Sequence, residues 1–194
     1  MSYIQTIPEA EAAGKLADLY KRFGNPDGTV DNVLKAHSLN PESLEAHCAL
    51  YVQSCHRPSP VSRAEREMVG VVVSRLNKCI YCREHHAAGL RQLLPEDRKG
   101  LEQTLATGDL ITANITPRER AMIGYAIRLT LDPSGVGSGE FEAMRTAGLT
   151  DREILDIAQV AAYFAYANRI VLGLGAPLEQ GEGPLGEWPA ESRE

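Results

Sequence analysis

The strongest constraint on the fold of this chain is a helix-start pattern, the capping box, which occurs three times. A Ser or Thr is followed three residues later by Glu, and the two side chains satisfy N–H groups in the first helical turn. The three stretches are Ser62-Arg63-Ala64-Glu65, Thr116-Pro117-Arg118-Glu119 and Thr150-Asp151-Arg152-Glu153. Because strand patterns are weak elsewhere, these starts predict an all-α fold.

Further helices are predicted from proline, glycine and apolar spacing. Asn40-Pro41 pairs an N-cap with a proline at the first helical position, and Asn77 is the predicted N-cap of a later helix. The predicted bounds are about 9–23, 40–55, 62–76, 77–89, 96–107 and 150–173. The glycine-rich stretch 135–139 lacks the lysine and spacing of a phosphate-binding loop, so we expect a plain connector.

Length and charge limit the class of protein. A chain of 194 residues suits a single domain, which we place at 1–176, with a Gly/Pro/Glu-rich tail at 177–194. The net charge of −6 offers no basic surface for nucleic acid. The N-terminus lacks the basic and apolar regions of a secretory signal, and the apolar stretch 154–174 carries polar residues. We therefore expect a cytoplasmic protein with no membrane span.

A short internal similarity suggests duplicated helical units. Residues 65–70 (EREMVG) resemble 119–124 (ERAMIG), and 88–90 resemble 147–149. In this alignment Glu67 corresponds to Ala121, which singles out Glu67 as a residue found in one copy only.

The chemistry of the chain is concentrated in a C-x-x-C pair. Four cysteines are too few for a disulfide scaffold, so a cysteine pair in a reducing compartment is usually catalytic or metal-binding. In a helix, Cys79, Cys82 and His86 lie on one face, one turn apart. Two close thiols with a base nearby can store two electrons, which makes redox chemistry the first hypothesis.

The residues alone leave open which thiol is the more reactive. With Asn77 as N-cap, Cys79 falls in the first helical turn, where the helix dipole favours a thiolate. His86 lies four residues after Cys82 and can take the proton of that thiol. Glu67, on the preceding helix, is a candidate to orient the imidazole.

Other interpretations of these residues remain. The chain could be a helical module without turnover, in which the cysteine pair senses redox state or in which Cys79, Cys82 and His86, with His85 or Glu67, hold zinc. The two thiols could also simply be packed in the core. Cys48 and Cys55 are seven residues apart on one helix and are predicted core residues, whereas His47 and His56 are expected at the surface or at helix ends.

The pattern E-x11-C-x2-C-x3-H, formed by Glu67, Cys79, Cys82 and His86, resembles the alkylhydroperoxidase D-like proteins of the carboxymuconolactone decarboxylase superfamily. The stretch 74–82 (SRLNKCIYC) is most similar to an uncharacterised peroxidase-related branch. Softer similarities at 32–34, 40–41 and 168–169 extend the resemblance over about 8–175.

This resemblance implies an all-α homo-oligomer that reduces organic hydroperoxides without a separate cofactor. It implies that Cys82 attacks the peroxide, that Cys79 protonates the leaving oxygen and then forms a disulfide with Cys82, and that His86 and Glu67 relay protons. A lipoyl-bearing or thioredoxin-like dithiol would reopen the disulfide.

Two points limit the resemblance. Some relatives carry a histidine where Tyr81 stands, and His85 does not occupy the same place. The superfamily name also covers lactone decarboxylases, but relatives of that kind do not rely on a C-x-x-C pair.

Overall fold

The computed structural model describes residues 2–179, and all the secondary-structure elements within that range are helices. The all-α prediction is therefore confirmed, while most of the predicted tail, 180–194, lies outside the described residues. The α-helices are α1 (Lys15–Phe23), α2 (Asn32–Lys35), α3 (Pro41–Tyr51), α4 (Arg63–Leu76), α5 (Ile80–Leu93), α6 (Leu101–Thr107), α7 (Pro117–Leu131), α8 (Ser138–Thr146) and α9 (Asp151–Leu174).

The predicted helix starts are present. Complete capping boxes open α4 at Ser62 and α7 at Thr116. At the start of α9, Thr150 and Glu153 exchange the same two hydrogen bonds, of 2.7 and 3.3 Å. The Asn40 side chain accepts from Ser43 N–H and caps α3, which continues as a π-helical turn at Val52–His56.

Two predicted helices are shorter than expected, and a glycine precedes the true start in each case. The 9–23 prediction holds a 3-10 turn at Glu9–Glu11, and α1 begins only after Gly14, whose φ is +54°. The 96–107 prediction divides in the same way before α6, at Gly100 with φ of +95°. Because these left-handed conformations interrupt helical hydrogen bonding, one apolar pattern covers two elements.

Two helices were not predicted at all. The four-residue α2 is too short to show a period, and α8 begins inside the glycine-rich stretch that we expected to be a plain connector. The Glu140 carboxylate accepts the Gly137 N–H at 2.9 Å and so satisfies a free donor at the start of α8. The connector prediction was therefore wrong from Ser138 onward.

The described chain forms two compact units. The first contains residues 2–58 and 169–179, in which α1 packs on α3. Cys48 and Cys55 are buried there, as predicted, but the expectation for His47 was wrong, because it is 3% exposed and its ring lies 4.6 Å from the His37 ring. The assignment of 1–176 to a single domain stays a prediction.

The second unit, Ser59–Asn168, is organised around α4. This helix packs against α5, α6 and α7, and its valines are fully buried. The apolar core on this side is formed by Met68, Val71, Val72, Ala87, Leu90, Leu94, Leu101, Leu105, Ala106, Ala113 and Ile123. All four residues of the E-x11-C-x2-C-x3-H pattern belong to this unit, on α4 and at the start of α5.

By length and composition alone, α9 could cross a membrane. Its buried side, however, carries Asp156 and Asn168, which are satisfied within the protein. Asp156 accepts from Ser59 Oγ at 2.7 Å, and Asn168 Nδ2 donates to Ser74 Oγ at 3.1 Å. Buried polar groups with protein partners are typical of a core helix, which agrees with the sequence prediction.

Gly70 on α4 provides a stability test with an internal control. A Cβ at Gly70 would lie 2.5 Å from the Phe164 ring, whereas one at Gly124, the aligned position on α7, meets nothing within 4 Å. We expect Gly70→Ala to destabilise the protein by about 1–3 kcal/mol through overpacking. Gly124→Ala should stabilise it by roughly 0.5–1 kcal/mol through helix propensity. Urea unfolding of both variants tests this, and equal effects would contradict the packing described here.

Candidate active site

The α4–α5 connection places the two cysteines, and it is a Schellman motif. Lys78 N–H donates to Arg75 O at 3.0 Å, and Cys79 N–H donates to Ser74 O at 2.9 Å. Lys78 occupies the left-handed position with φ of +59°. Cys79, not Asn77, is the N-cap of α5, so our prediction of the cap was wrong, and α5 also ends later than expected, at Leu93.

The cysteine pair therefore lies at the positively polarised end of α5. Cys79 is the N-cap, and Cys82 is the third residue of the helix. Both are free thiols, 1% and 5% exposed. The pKa of each thiol is dominated by hydrogen bonding with the other, so the structure brings together the two residues that the sequence paired.

The shared hydrogen bond separates the two thiol pKa values. Donation by the Cys82 thiol is the largest effect on Cys79 and, against burial, lowers its pKa to about 7. The same bond, followed by burial, raises the pKa of Cys82 well above its usual value. The Cys82 backbone N–H also lowers the Cys79 pKa, although this contact is too loose to count as a cap hydrogen bond. These opposite directions make Cys79 the thiol that ionises first, as the helix-terminus argument favours.

Glu67 and His86 form the second part of the site. Glu67 on α4 is 3% exposed, and its Oε2 lies 2.6 Å from His86 Nδ1 on α5. Its Oε1 accepts from Arg63 Nη2 at 2.7 Å. Burial raises the Glu67 pKa, but the charges and hydrogen bonds of His86 and Arg63 outweigh it and bring the pKa to about 2.

An ionised Glu67 fixes the tautomer of His86. A carboxylate only accepts hydrogen bonds, so Nδ1 must carry the proton that it donates to Glu67. In the neutral imidazole, Nε2 is then the proton acceptor. The orienting role that the sequence suggested for Glu67 thus has the required geometry, whereas a contact between His86 and the Cys82 sulfur stays a prediction.

Aromatic packing holds the site residues in place. The Phe164 ring of α9 meets the His86 ring edge-on, with centroids 4.5 Å apart and an interplanar angle of 86°. Tyr81 stacks on His85 at 4.3 Å. The charge of His85 contributes to lowering the Cys79 pKa.

One residue of the site was not recognised from the sequence. Asn168 on α9 is fully buried, accepts from Asn77 Nδ2 at 2.9 Å and donates to Ser74 Oγ at 3.1 Å. Hydrogen bonding by the Asn168 side chain is a minor cause that lowers the pKa of Cys79 and of Cys82. Its partners are 91 and 94 residues away, so no local pattern reveals the contact.

The zinc alternative gains no support from this arrangement. Within residues 2–179, no three His, Cys, Asp or Glu side chains are grouped so as to hold a metal ion. Glu67 is instead engaged by Arg63 and His86.

The strain at Lys78 can be relieved by glycine. A left-handed conformation disfavours an L side chain, so Lys78→Gly is expected to stabilise the protein by about 0.5–1 kcal/mol after the added chain entropy is counted. Lys99→Gly is the control, because Lys99 has an ordinary φ of −57° and should lose stability. Urea unfolding of the reduced protein measures both, and a loss of stability in Lys78→Gly would contradict the assignment.

The lowered pKa of Glu67 predicts that the free energy of unfolding falls as the pH is lowered. Its pKa is lowered from 4.5 to about 2, so the folded state gains about 3 kcal/mol above pH 4.5, and loses it as the pH falls toward 2. Glu67→Gln should remove this term. The stability difference between wild type and variant, from urea unfolding between pH 7 and pH 3, should therefore shrink with acidification. A constant difference would show that Glu67 is not held as a buried anion.

Comparison with known proteins identifies a family and several similar structures. The model of the carboxymuconolactone decarboxylase family matches residues 41–94. An uncharacterized peroxidase-related protein from Silicibacter sp. TM1040 is 31% identical, covers 93% of this chain and 96% of its own, and has a TM-score of 0.78. No curated protein matches the sequence.

Two further structures are similar. The alkylhydroperoxidase AhpD core protein from Ralstonia eutropha JMP134, also called peroxidase-related, is 28% identical over 91% of this chain and 95% of its own, with a TM-score of 0.78. The debrominase Bmp8 shares the fold at 16% identity over 92% and 91%, with a TM-score of 0.71. The chain belongs to the carboxymuconolactone decarboxylase family, in its alkylhydroperoxidase D-like, peroxidase-related branch.

Proposed function

We propose that the protein is a thiol-dependent peroxidase that reduces organic hydroperoxides through Cys79 and Cys82. The observation that carries this proposal is a buried pair of free thiols at the N-terminus of α5, in the same unit as the buried Glu67–His86 pair. A thiolate at near-neutral pH is the nucleophile that peroxide reduction requires.

The opposite pKa shifts of the two thiols suggest a different role for each sulfur. Transfer of the Cys82 proton to Cys79 makes Cys82 the thiolate and Cys79 the acid. Cys82 then attacks one peroxide oxygen, the O–O bond breaks, and Cys82 is oxidised to a sulfenic acid. The leaving alkoxide takes the proton from Cys79 and departs as an alcohol. In this sequence of steps Cys82 attacks the peroxide although Cys79 is the thiol of lower pKa. Attack by Cys82 remains a prediction.

Disulfide formation completes the oxidative half of the cycle. The Cys79 thiolate attacks the Cys82 sulfenic sulfur, the S–S bond forms, and hydroxide leaves and is protonated to water. His86 is suited to take up at Nε2 the proton that the pair releases on its first ionisation and to return it to the leaving hydroxide, because Glu67 holds the opposite ring nitrogen. An external dithiol then returns two electrons and two protons and becomes a disulfide itself.

The setting proposed for this chemistry is the reducing cytoplasm, with a lipoyl-bearing or thioredoxin-like protein as the dithiol. All four cysteines are free thiols, which suits that compartment. We also propose a homo-oligomer, since α9 exposes Leu155 and Tyr166, which are 52% and 38% accessible and available to a second copy.

Peroxide consumption with a dithiol donor tests the function. Cys82→Ser should lose turnover by at least about 100-fold, because the attacking sulfur is gone. Cys79→Ser should form a Cys82 sulfenic acid that dimedone traps, and it should not form the disulfide. Wild-type turnover should rise with pH through about 7, where the pair loses its first proton.

Cys48→Ala is the control for loss of a thiol elsewhere. Burial raises the pKa of Cys48 to about 12, so it should be inert and its replacement should leave turnover unchanged. Equal turnover in wild type and Cys82→Ser would remove the proposed nucleophile. A disulfide that forms without measurable turnover would instead favour a redox-sensing module.

A further inference from the structure

We infer that Arg63 is a positioning residue of the site, whose guanidinium balances the Glu67 carboxylate so that His86 keeps an unprotonated Nε2. The inference rests on the proposed function only in assigning the Glu67–His86 pair to a proton relay. Arg63 is the first residue of α4, one turn before Glu67.

The two oxygens of Glu67 are divided between two partners. Oε1 accepts from Arg63 Nε at 3.2 Å and from Arg63 Nη2 at 2.7 Å. Oε2 lies 2.6 Å from His86 Nδ1 on α5. The guanidinium and the imidazole therefore share one carboxylate, so the charge of one partner affects the charge of the other.

The carboxylate is shielded from solvent. Glu67 is 3% exposed and His86 is 7% exposed, whereas a third of the Arg63 side chain is accessible. A Cβ at Gly89 on α5 would lie 3.8 Å from the Glu67 carboxyl carbon, so bare backbone covers that side. The charged groups that act on Glu67 against its burial are His86 and Arg63. A buried charge needs such partners, because solvent does not compensate it.

The charges of the three side chains determine which form of His86 is favoured. Arginine stays positive in proteins and Glu67 is negative, so the two charges cancel beside a neutral imidazole. A second proton on His86 would then add an unbalanced buried charge near a guanidinium of the same sign. Without Arg63 the same proton would neutralise the carboxylate and would be favoured. An imidazolium carries a proton on both nitrogens, so it cannot accept one at Nε2.

Arg152 and Asp156 on α9 provide a matched comparison. They are also an arginine and an acid four residues apart in the first turns of a helix, with Arg152 Nε 3.0 Å from both carboxylate oxygens. Asp156 also accepts from the Ser59 hydroxyl at 2.7 Å, where Glu67 meets an imidazole. Loss of the Arg152 charge thus removes the same kind of ion pair without removing a charge from the Glu67 carboxylate.

Nitrogen NMR of protein labelled with ¹⁵N-histidine tests the inference, because each ring nitrogen reports whether it carries a proton. The His86 signals are assigned by their absence from His86→Gln. In the wild type near neutral pH, His86 should show a protonated Nδ1 and an unprotonated Nε2. Arg63→Gln keeps a hydrogen-bond donor but removes the charge, so the ratio of doubly protonated to neutral His86 should rise about tenfold. Arg63→Lys restores the charge and should return the ratio toward that of the wild type.

Arg152→Gln is the control and should leave the His86 signals unchanged. A folded Arg63→Gln protein with wild-type His86 signals would overturn the inference, since loss of an ion pair alone lowers stability without changing the state of the ring. An equal change in Arg152→Gln would overturn it as well.

If Arg63→Gln does not fold, the wild type decides the question. An unprotonated Nε2 near neutral pH would support a carboxylate balanced by Arg63, and a His86 ring protonated at both nitrogens would contradict it. None of these measurements uses peroxide, so failure of the proposed function would be seen separately, in turnover.

Discussion

The connection between α4 and α5 is the constraint on which the site depends. The N–H of Cys79 makes one of the Schellman hydrogen bonds that close the end of α4, and Cys79 is also the N-cap of α5. No flexible linker therefore separates Glu67 from the cysteines. The third residue after Leu76 is already the N-cap of α5. Cys79 is therefore held by backbone contacts at both helices, and its sulfur sits at the end of α5 where negative charge is favoured. A longer loop would allow the same motif in sequence without its geometry.

Packing between α4, α5 and α9 then positions the ring of His86. Gly70 on α4 leaves room for Phe164, and Phe164 in turn packs edge-on against the ring of His86. The imidazole is thus fixed by a carboxylate at one nitrogen and by an aromatic ring at its side. Because a glycine three residues after Glu67 creates this space, the helix that carries the acid also sets the position of its partner.

The sequence predicted the fold class and the starts of the main helices well, because capping boxes act within four residues. It predicted Glu67 and His86 as a pair from spacing and resemblance, and the 2.6 Å contact agrees. It did not predict Cys79 as the N-cap, since Asn77 is the better cap by residue type and only tertiary contacts direct its amide to Asn168. It did not predict the contacts of Asn168 with Asn77 and Ser74 for the same reason, because contacts across more than 90 residues leave no local pattern.

Comparison of α4 with α7 separates what supports the fold from what supports the chemistry. Both helices open with a capping box, and Met68 and Met122 at aligned positions are both buried. The two copies differ at the site, since Glu67 aligns with Ala121, and the shared glycine faces an aromatic ring at Gly70 but open space at Gly124. The capping box therefore starts a packed helix in α7 without a counterpart of Glu67. The buried Glu67 carboxylate on α4 stays ionised because Arg63 and His86 lower its pKa. The buried charge therefore lies on the helix that leads into the cysteines.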